Sequence, residues 1–258
     1  MGQRLVTFAL VMALGLPMPA LVAQGLLGAS SQKMLAFFRD HGDQTADVFI
    51  RQLRPDPIDP VSRARAIESL PREGEIAPSA KDRAKLVTAE RMLDYCARRG
   101  AIDIKVVEMD QPFVGLYRRS VILVSARALA LLNREQLAAL VAHELGHDYD
   151  FDAYTNALER GDNARMRELE LKSDALAVLT LEQMGISPDR LIDAIRKIMR
   201  AIGQREHAGG GAGPADGSAS TRDRYVPLSE RIGFIRAIAH LRWGTSPARA
   251  TIAVTPPP

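Results

Sequence analysis

Asn133–Tyr149 reads NREQLAALVAHELGHDY and carries His143, Glu144 and His147 in an H-E-x-x-H pattern. The stretch has the marks of a helix. Asn133 is a good N-cap residue, with Glu135 and Gln136 in the first turn behind it. Leu137, Leu140, Val141 and Leu145 recur at helical spacing, which predicts one buried face. His143 and His147 are one turn apart, so their imidazoles leave the helix on the same side. Two ring nitrogens placed in this way reach one zinc ion. Glu144 falls beside the metal rather than on it, where it can take a proton from activated water. The string alone also arises by chance in surface helices, so the reading depends on a second element downstream.

That element is Glu170-Leu-Lys-Ser-Asp174. It lies in a helix that Asp162 or Asn163 caps and that runs to about Met184, before Gly185. A catalytic site with two histidines and one glutamate needs its third ligand from a separate helix, and Glu170 answers that need. Asp174, one turn on, shares its face and accepts the free ring N–H of a ligand histidine, His143. Glu168 is too far along the helix to share that face with Asp174. Another common class of zinc site wants a further ligand six residues past the second histidine, with a glycine between. Those positions hold Ala153 and Asp150, which excludes that class. Asp150 and Asp152 remain as weaker alternative ligands.

The rest of the chain sets the context. With 258 residues it is long enough for a real hydrophobic core in one sizeable domain or two small ones. Apolar residues make up 47% and charged residues 25%, an ordinary globular balance. The net charge is +3, with the basic residues interleaved among acids, so a solvated mixed surface fits better than a nucleic-acid face. A single cysteine, Cys96, excludes an intramolecular disulfide and any cysteine-rich zinc site. Its spacing from Leu86, Ala89 and Leu93 makes it a core residue. Residues 1–23 read as a targeting segment, with Arg4, an apolar run Leu5–Leu16, and Pro17 and Pro19 before Ala23. Cleavage before Gln24 is the favoured reading. An uncleaved anchor over residues 5–22 is its rival, since Leu21 is a poor fit three residues before the cut. Both readings put the functional domain across a membrane or on its outer side, in the periplasm or exported.

Residues 24–80 then form an N-terminal helical segment and linker. A first helix is expected over 31–54, a proline-rich turn over 54–61 and a short helix over Ser62–Leu70. Lys81–Arg99 is amphipathic and stops at Gly100. Strands are expected at Ile102–Val107 and Val121–Ser125, with Pro112–Arg119 as the turn between them. An exposed strand edge there would hold an extended peptide. Asp148–Gly161 looks irregular. Ser187-Pro188-Asp189 opens a helix to about Ile202, residues 208–222 are glycine-rich, and Pro227 opens a last helix through Trp243. The expected domain spans 81–243, with 244–258 as a disordered tail.

HELGH, then ELKSD, then PLSERI, in this order over about Gln111 to Leu241, resembles the family of CAAX-prenyl endopeptidases, HtpX-type membrane proteases and their periplasmic BepA- and LoiP-like relatives. The resemblance implies an α+β, mainly α, zincin-like (gluzincin) metallopeptidase domain with a small β-sheet preceding the HExxH helix. It also implies one zinc ion per chain, held by His143, His147 and Glu170, with Glu144 as catalytic base and Asp174 behind the ligands. Two departures stand out. Arg224-Tyr225-Val226 occupies the place of the family's Thr-His-Pro, and Gln111-Pro112-Phe113 that of its Asn-Ala-Phe. Tyr225 and Arg231 are therefore the expected donors to the reacting carbonyl. The expected function is zinc-dependent endopeptidase action on unfolded or membrane-associated proteins in cell-envelope quality control, with no nucleic-acid partner. The alternatives are a zinc-containing, chaperone-like assembly factor with little proteolytic activity, and a helical interaction protein in which the H-E-x-x-H string is coincidence.

Overall fold

The computed structural model describes residues 27–70, 74–208 and 226–244. The expected targeting segment at residues 1–23, most of the glycine-rich stretch, Tyr225 and the expected tail from 245 on lie outside them. Ten helices and three strands are described. They are α1 Ala29–Asp40, α2 Ala46–Leu53, α3 Pro60–Glu68, α4 Ala80–Tyr95, β1 Asp103–Val107, β2 Val114–Tyr117, β3 Val121–Ser125, α5 Ala126–Leu131, α6 Arg134–Asp148, α7 Phe151–Arg160, α8 Asn163–Gln183, α9 Asp189–Ala208 and α10 Leu228–Ala239. The fold is α+β and mainly α. No described helix is long and apolar enough to cross a membrane.

The H-E-x-x-H helix α6 is the axis of the molecule. Its start is a full capping box: Gln136 N–H donates to the Asn133 side chain at 2.9 Å, and Asn133 N–H donates to Gln136 Oε1 at 3.1 Å. The expected single buried face is too modest. Ala138, Ala139 and Ala142 are buried along with Leu137, Leu140, Val141 and Leu145. The small residues let α4, α8 and α9 close on different sides of the helix. Met34, Phe38, Phe49 and Ile50 of α1 and α2 join Leu171 and Leu176 of α8 and Ile235 of α10 in the same core. Cys96 is buried among them, and desolvation pushes its thiol up to about 12.

Several expectations are corrected. The helix expected over 31–54 is two, α1 and α2, broken at residues 41–45. The turn expected over Pro112–Arg119 contains a strand: β2 pairs antiparallel with β3, which also pairs in parallel with β1, giving the order β1-β3-β2. The turn itself is Arg118-Arg119, both left-handed, at φ 45° and 55°. Tight hairpins of this hand normally announce themselves with Asn-Gly, so two arginines conceal the signal. Residues 148–161 contain helix α7, closed by Gly161 at φ 65°. The last helix also stops at Ala239, short of Trp243, while α9 continues past Ile202 to Ala208.

The arginine turn is secured beneath α6. Asp148, the last residue of α6, is 3% exposed and faces two guanidinium groups. Arg119 Nε donates to its Oδ1 at 2.7 Å, while Arg98 Nε lies 2.6 Å from Oδ2 as a close ion contact off the hydrogen-bond angle. Arg98 Nη2 and Arg119 Nη2 also donate to the carbonyls of Pro55 and Asp56, so one carboxylate ties α6, the hairpin and the proline-rich linker together. Removing that carboxylate leaves Arg98 buried without a counter-charge. Asp148→Ala is expected to cost ~3–5 kcal/mol in urea unfolding; a loss under about 1 kcal/mol would show that the ties are redundant.

Candidate metal centre

Helices α6 and α8 cross where Gly146 meets Ser173. A Cβ on Gly146 would stand 2.7 Å from Ser173 Cα and 2.8 Å from its carbonyl oxygen, so only glycine permits the approach. The crossing sets Glu170 of α8 against both histidines of α6. His143 Nε2 and His147 Nε2 are 3.2 Å apart. Glu170 Oε2 is 3.5 Å from the first, and Oε1 is 3.5 Å from the second. A tetrahedral cation with bonds of 2.0–2.1 Å requires ligand-to-ligand edges of about 3.3 Å. Each imidazole Nε2 has its own Glu170 oxygen at about that distance, so the three side chains converge closely enough to hold a divalent cation between them.

A carboxylate oxygen of Glu144 also falls within 4.8 Å of both imidazoles. Its Oε2, however, is engaged by the edge strand, accepting Leu116 N–H at 2.8 Å. Burial pushes the Glu144 carboxyl up to about 7, against the opposing influence of His143 and the Leu116 hydrogen bond.

Asp174 is fully buried behind His143. Its Oδ1 lies 2.9 Å from His143 Nδ1, and the carboxylate accepts from Arg231 Nε and Nη2 at 2.6 and 2.7 Å. Burial alone would favour the neutral acid; the Arg231 charge and the His143 hydrogen bond outweigh it and hold the Asp174 carboxyl below its usual range. Glu170 follows the same logic, with burial opposed by both histidines and Arg231, and is also lowered. Burial disfavours a charged His143, but its bond to Asp174 prevails and raises it; for His147 burial prevails and takes it down to about 4.

The structure therefore brings together His143, Glu144, His147, Glu170, Asp174 and Arg231. Arg231 reaches the site with its Nε and Nη2 donating to Asp174, so it fixes that carboxylate. The alternative ligands point elsewhere: Asp150 pairs with Lys172 at 2.7 Å, Glu168 with Lys33 at 2.6 Å, and Asp152 is exposed. Tyr225 lies outside the described residues.

Sequence reasoning missed the Leu116 N–H, because a backbone donor has no residue signature. It also misses Tyr154, whose ring packs edge-on to His147 with centroids 5.1 Å apart, because nothing in the sequence places α7 beside that histidine. Gly146 could have been found: a glycine costs a helix interior about 1 kcal/mol and calls for a packing reason. No protein-family model matches the chain, and neither does any curated protein.

Gly146→Ala is expected to force the two helices apart, costing ~1–3 kcal/mol as overpacking does and weakening zinc uptake measured by chelator competition. Unchanged stability and uptake would contradict the tight crossing.

Proposed function

We propose that the chain is a zinc metalloendopeptidase with a zincin-like (gluzincin) domain, acting on unfolded or membrane-associated proteins on the outer side of a membrane. The observation that carries the reading is the convergence of His143, His147 and Glu170, with the two Nε2 atoms 3.2 Å apart, one Glu170 oxygen 3.5 Å from each, and Glu144 alongside. The order HELGH, ELKSD, PLSERI, and its resemblance to the prenyl-endopeptidase and HtpX-type proteases, supports the same reading, and residues 1–23 support export.

A bound zinc would supply Lewis-acid chemistry, the kind that lowers the pKa of water from about 15.7 towards ~7. His143, His147 and Glu170 would hold the ion, and Asp174, itself held by Arg231, would orient His143. Leu116 N–H holds Glu144 Oε2, which leaves Oε1 to take the proton of the attacking water and return it to the leaving amine. The substrate lies along β2. The Phe113 carbonyl accepts from Ser125 of β3 and the Tyr117 carbonyl accepts from Ser120 in the turn, whereas Leu116 N–H faces the other way, to Glu144. By alternation the backbone groups of Val114 share that outer edge, on which an extended peptide adds as a further strand. The other edge of the sheet is covered: Ile76 N–H donates to Val106 at 3.0 Å and Glu108 N–H to Gly74 at 2.6 Å.

Glu144→Gln is expected to keep zinc and to cleave casein roughly 10²–10⁴-fold more slowly, the usual worth of a general acid–base group. Cleavage at the wild-type rate would refute the mechanism. Arg224-Tyr225-Val226, in the place of the family's Thr-His-Pro, favours as a second reading a zinc-containing assembly factor that seldom cleaves. Full rescue by Glu144→Gln of cells lacking the protein would select it.

A further inference from the structure

The two histidines are supported from behind by different groups, and only one of the two is an obvious partner. His143 rests its Nδ1 on the Asp174 carboxylate. His147 Nδ1 lies 3.2 Å from the Ser173 hydroxyl. Ser173 is 2% exposed and sits at the helix crossing, where the Gly146 backbone packs against its Cα and Cβ. Serine and threonine inside a helix commonly turn their hydroxyl back to the carbonyl one turn earlier. Thr180, in the same helix, does so, donating to the Leu176 carbonyl at 2.8 Å. The Ser173 hydroxyl instead meets an imidazole of the neighbouring helix.

We propose that Ser173 is a positioning residue for His147, fixing the ring with its proton on Nδ1 and its Nε2 lone pair toward Glu170. The inference rests on the zinc reading above. A histidine binds a metal through one nitrogen only when the other carries the proton, and the partner of that second nitrogen sets the tautomer and the ring angle. Nε2 of His147 faces His143 Nε2 and Glu170, so Nδ1 is the protonated atom and donates to Ser173 Oγ. The run Glu170-Leu-Lys-Ser173-Asp174 thus delivers three functions from one and a half turns: a ligand and, from adjacent residues, an orienting group for each histidine. The two orienting groups differ in kind. The buried carboxylate makes His143 the more strongly donating imidazole, while the neutral hydroxyl fixes the angle of His147 without adding charge.

The test uses the purified full chain with zinc as the probe. Ser173→Ala removes the hydroxyl and fits the buried helix, so the urea midpoint of the chelator-treated protein should stay at the wild-type value. Zinc affinity, by competition with a chromophoric chelator, should weaken about tenfold. In the zinc-loaded protein, ¹⁵N-labelled at histidine, the Nδ1 proton of His147 should lose its protection from solvent exchange while that of His143 keeps it. Thr180→Val removes a buried hydroxyl from the same helix and should leave both readouts at wild type. If wild-type protein takes up no zinc, the metal reading falls and this one with it. If it takes up zinc and Ser173→Ala matches it in affinity and in proton protection, the role of Ser173 alone is overturned.

Discussion

The contact on which the structure depends is the close crossing of α6 and α8 at Gly146 and Ser173. A methyl group at residue 146 would lie 2.7 Å from the Ser173 backbone, so the helices meet at the distance that a bare Cα allows. Everything functional is referenced to that point. His147 follows Gly146 directly and meets the Ser173 hydroxyl; His143 lies one turn before and meets Asp174; Glu170 lies one turn before Asp174 and faces both rings. The geometry of the cluster is thus fixed by backbone packing rather than by flexible side chains, as a site needing placement within fractions of an ångström requires.

Burying this many ionisable groups is costly unless each finds its complement. The molecule solves the problem in two places with the same device, one buried aspartate receiving two cationic or donating groups. Asp174 has Arg231 and His143; Asp148 has Arg98 and Arg119. The first arrangement orients a histidine and draws α10 onto the site. The second ties the end of α6 to the hairpin whose strand β2 supplies Leu116 N–H to Glu144. Glu230, the neighbour of Arg231, extends the linkage further, accepting Gly28 N–H at 2.9 Å and the Ser31 hydroxyl at 2.6 Å at the start of α1. The last helix therefore supports the centre on one side and caps the first helix on the other.

Much of this was legible in the sequence, and the reason differs by element. The capping residues of α6, the apolar period of α4 and the run of β-branched residues in β3 are local signals, and local signals survive in a linear reading. So do His143, His147, Glu170 and Asp174, because helical spacing converts directly into a shared face. What stayed hidden depends on neighbours. Strand β2 is only four residues long, contains Gly115, and turns on two arginines in left-handed conformation. Helix α7 is ten residues long and follows α6 after only Tyr149 and Asp150, with no glycine or proline to mark the break, so a linear reading does not separate it as an element. The role of Ser173 is visible only once the helix that carries His147 lies against it. Arg231 was marked as functional, yet its tie to Asp174 depends on how α10 is laid down across α8.

The claim that organises all of this is that His143, His147 and Glu170 hold one divalent cation between them. The most direct test is the zinc content, by elemental mass spectrometry, of the full chain purified without added chelator, for the wild type and for His143→Ala in parallel. The account predicts close to one zinc per wild-type chain and a near-complete loss in the variant, with both proteins folded by circular dichroism. Wild-type protein without metal after equilibration with zinc, or a variant that retains as much as the wild type, would contradict it.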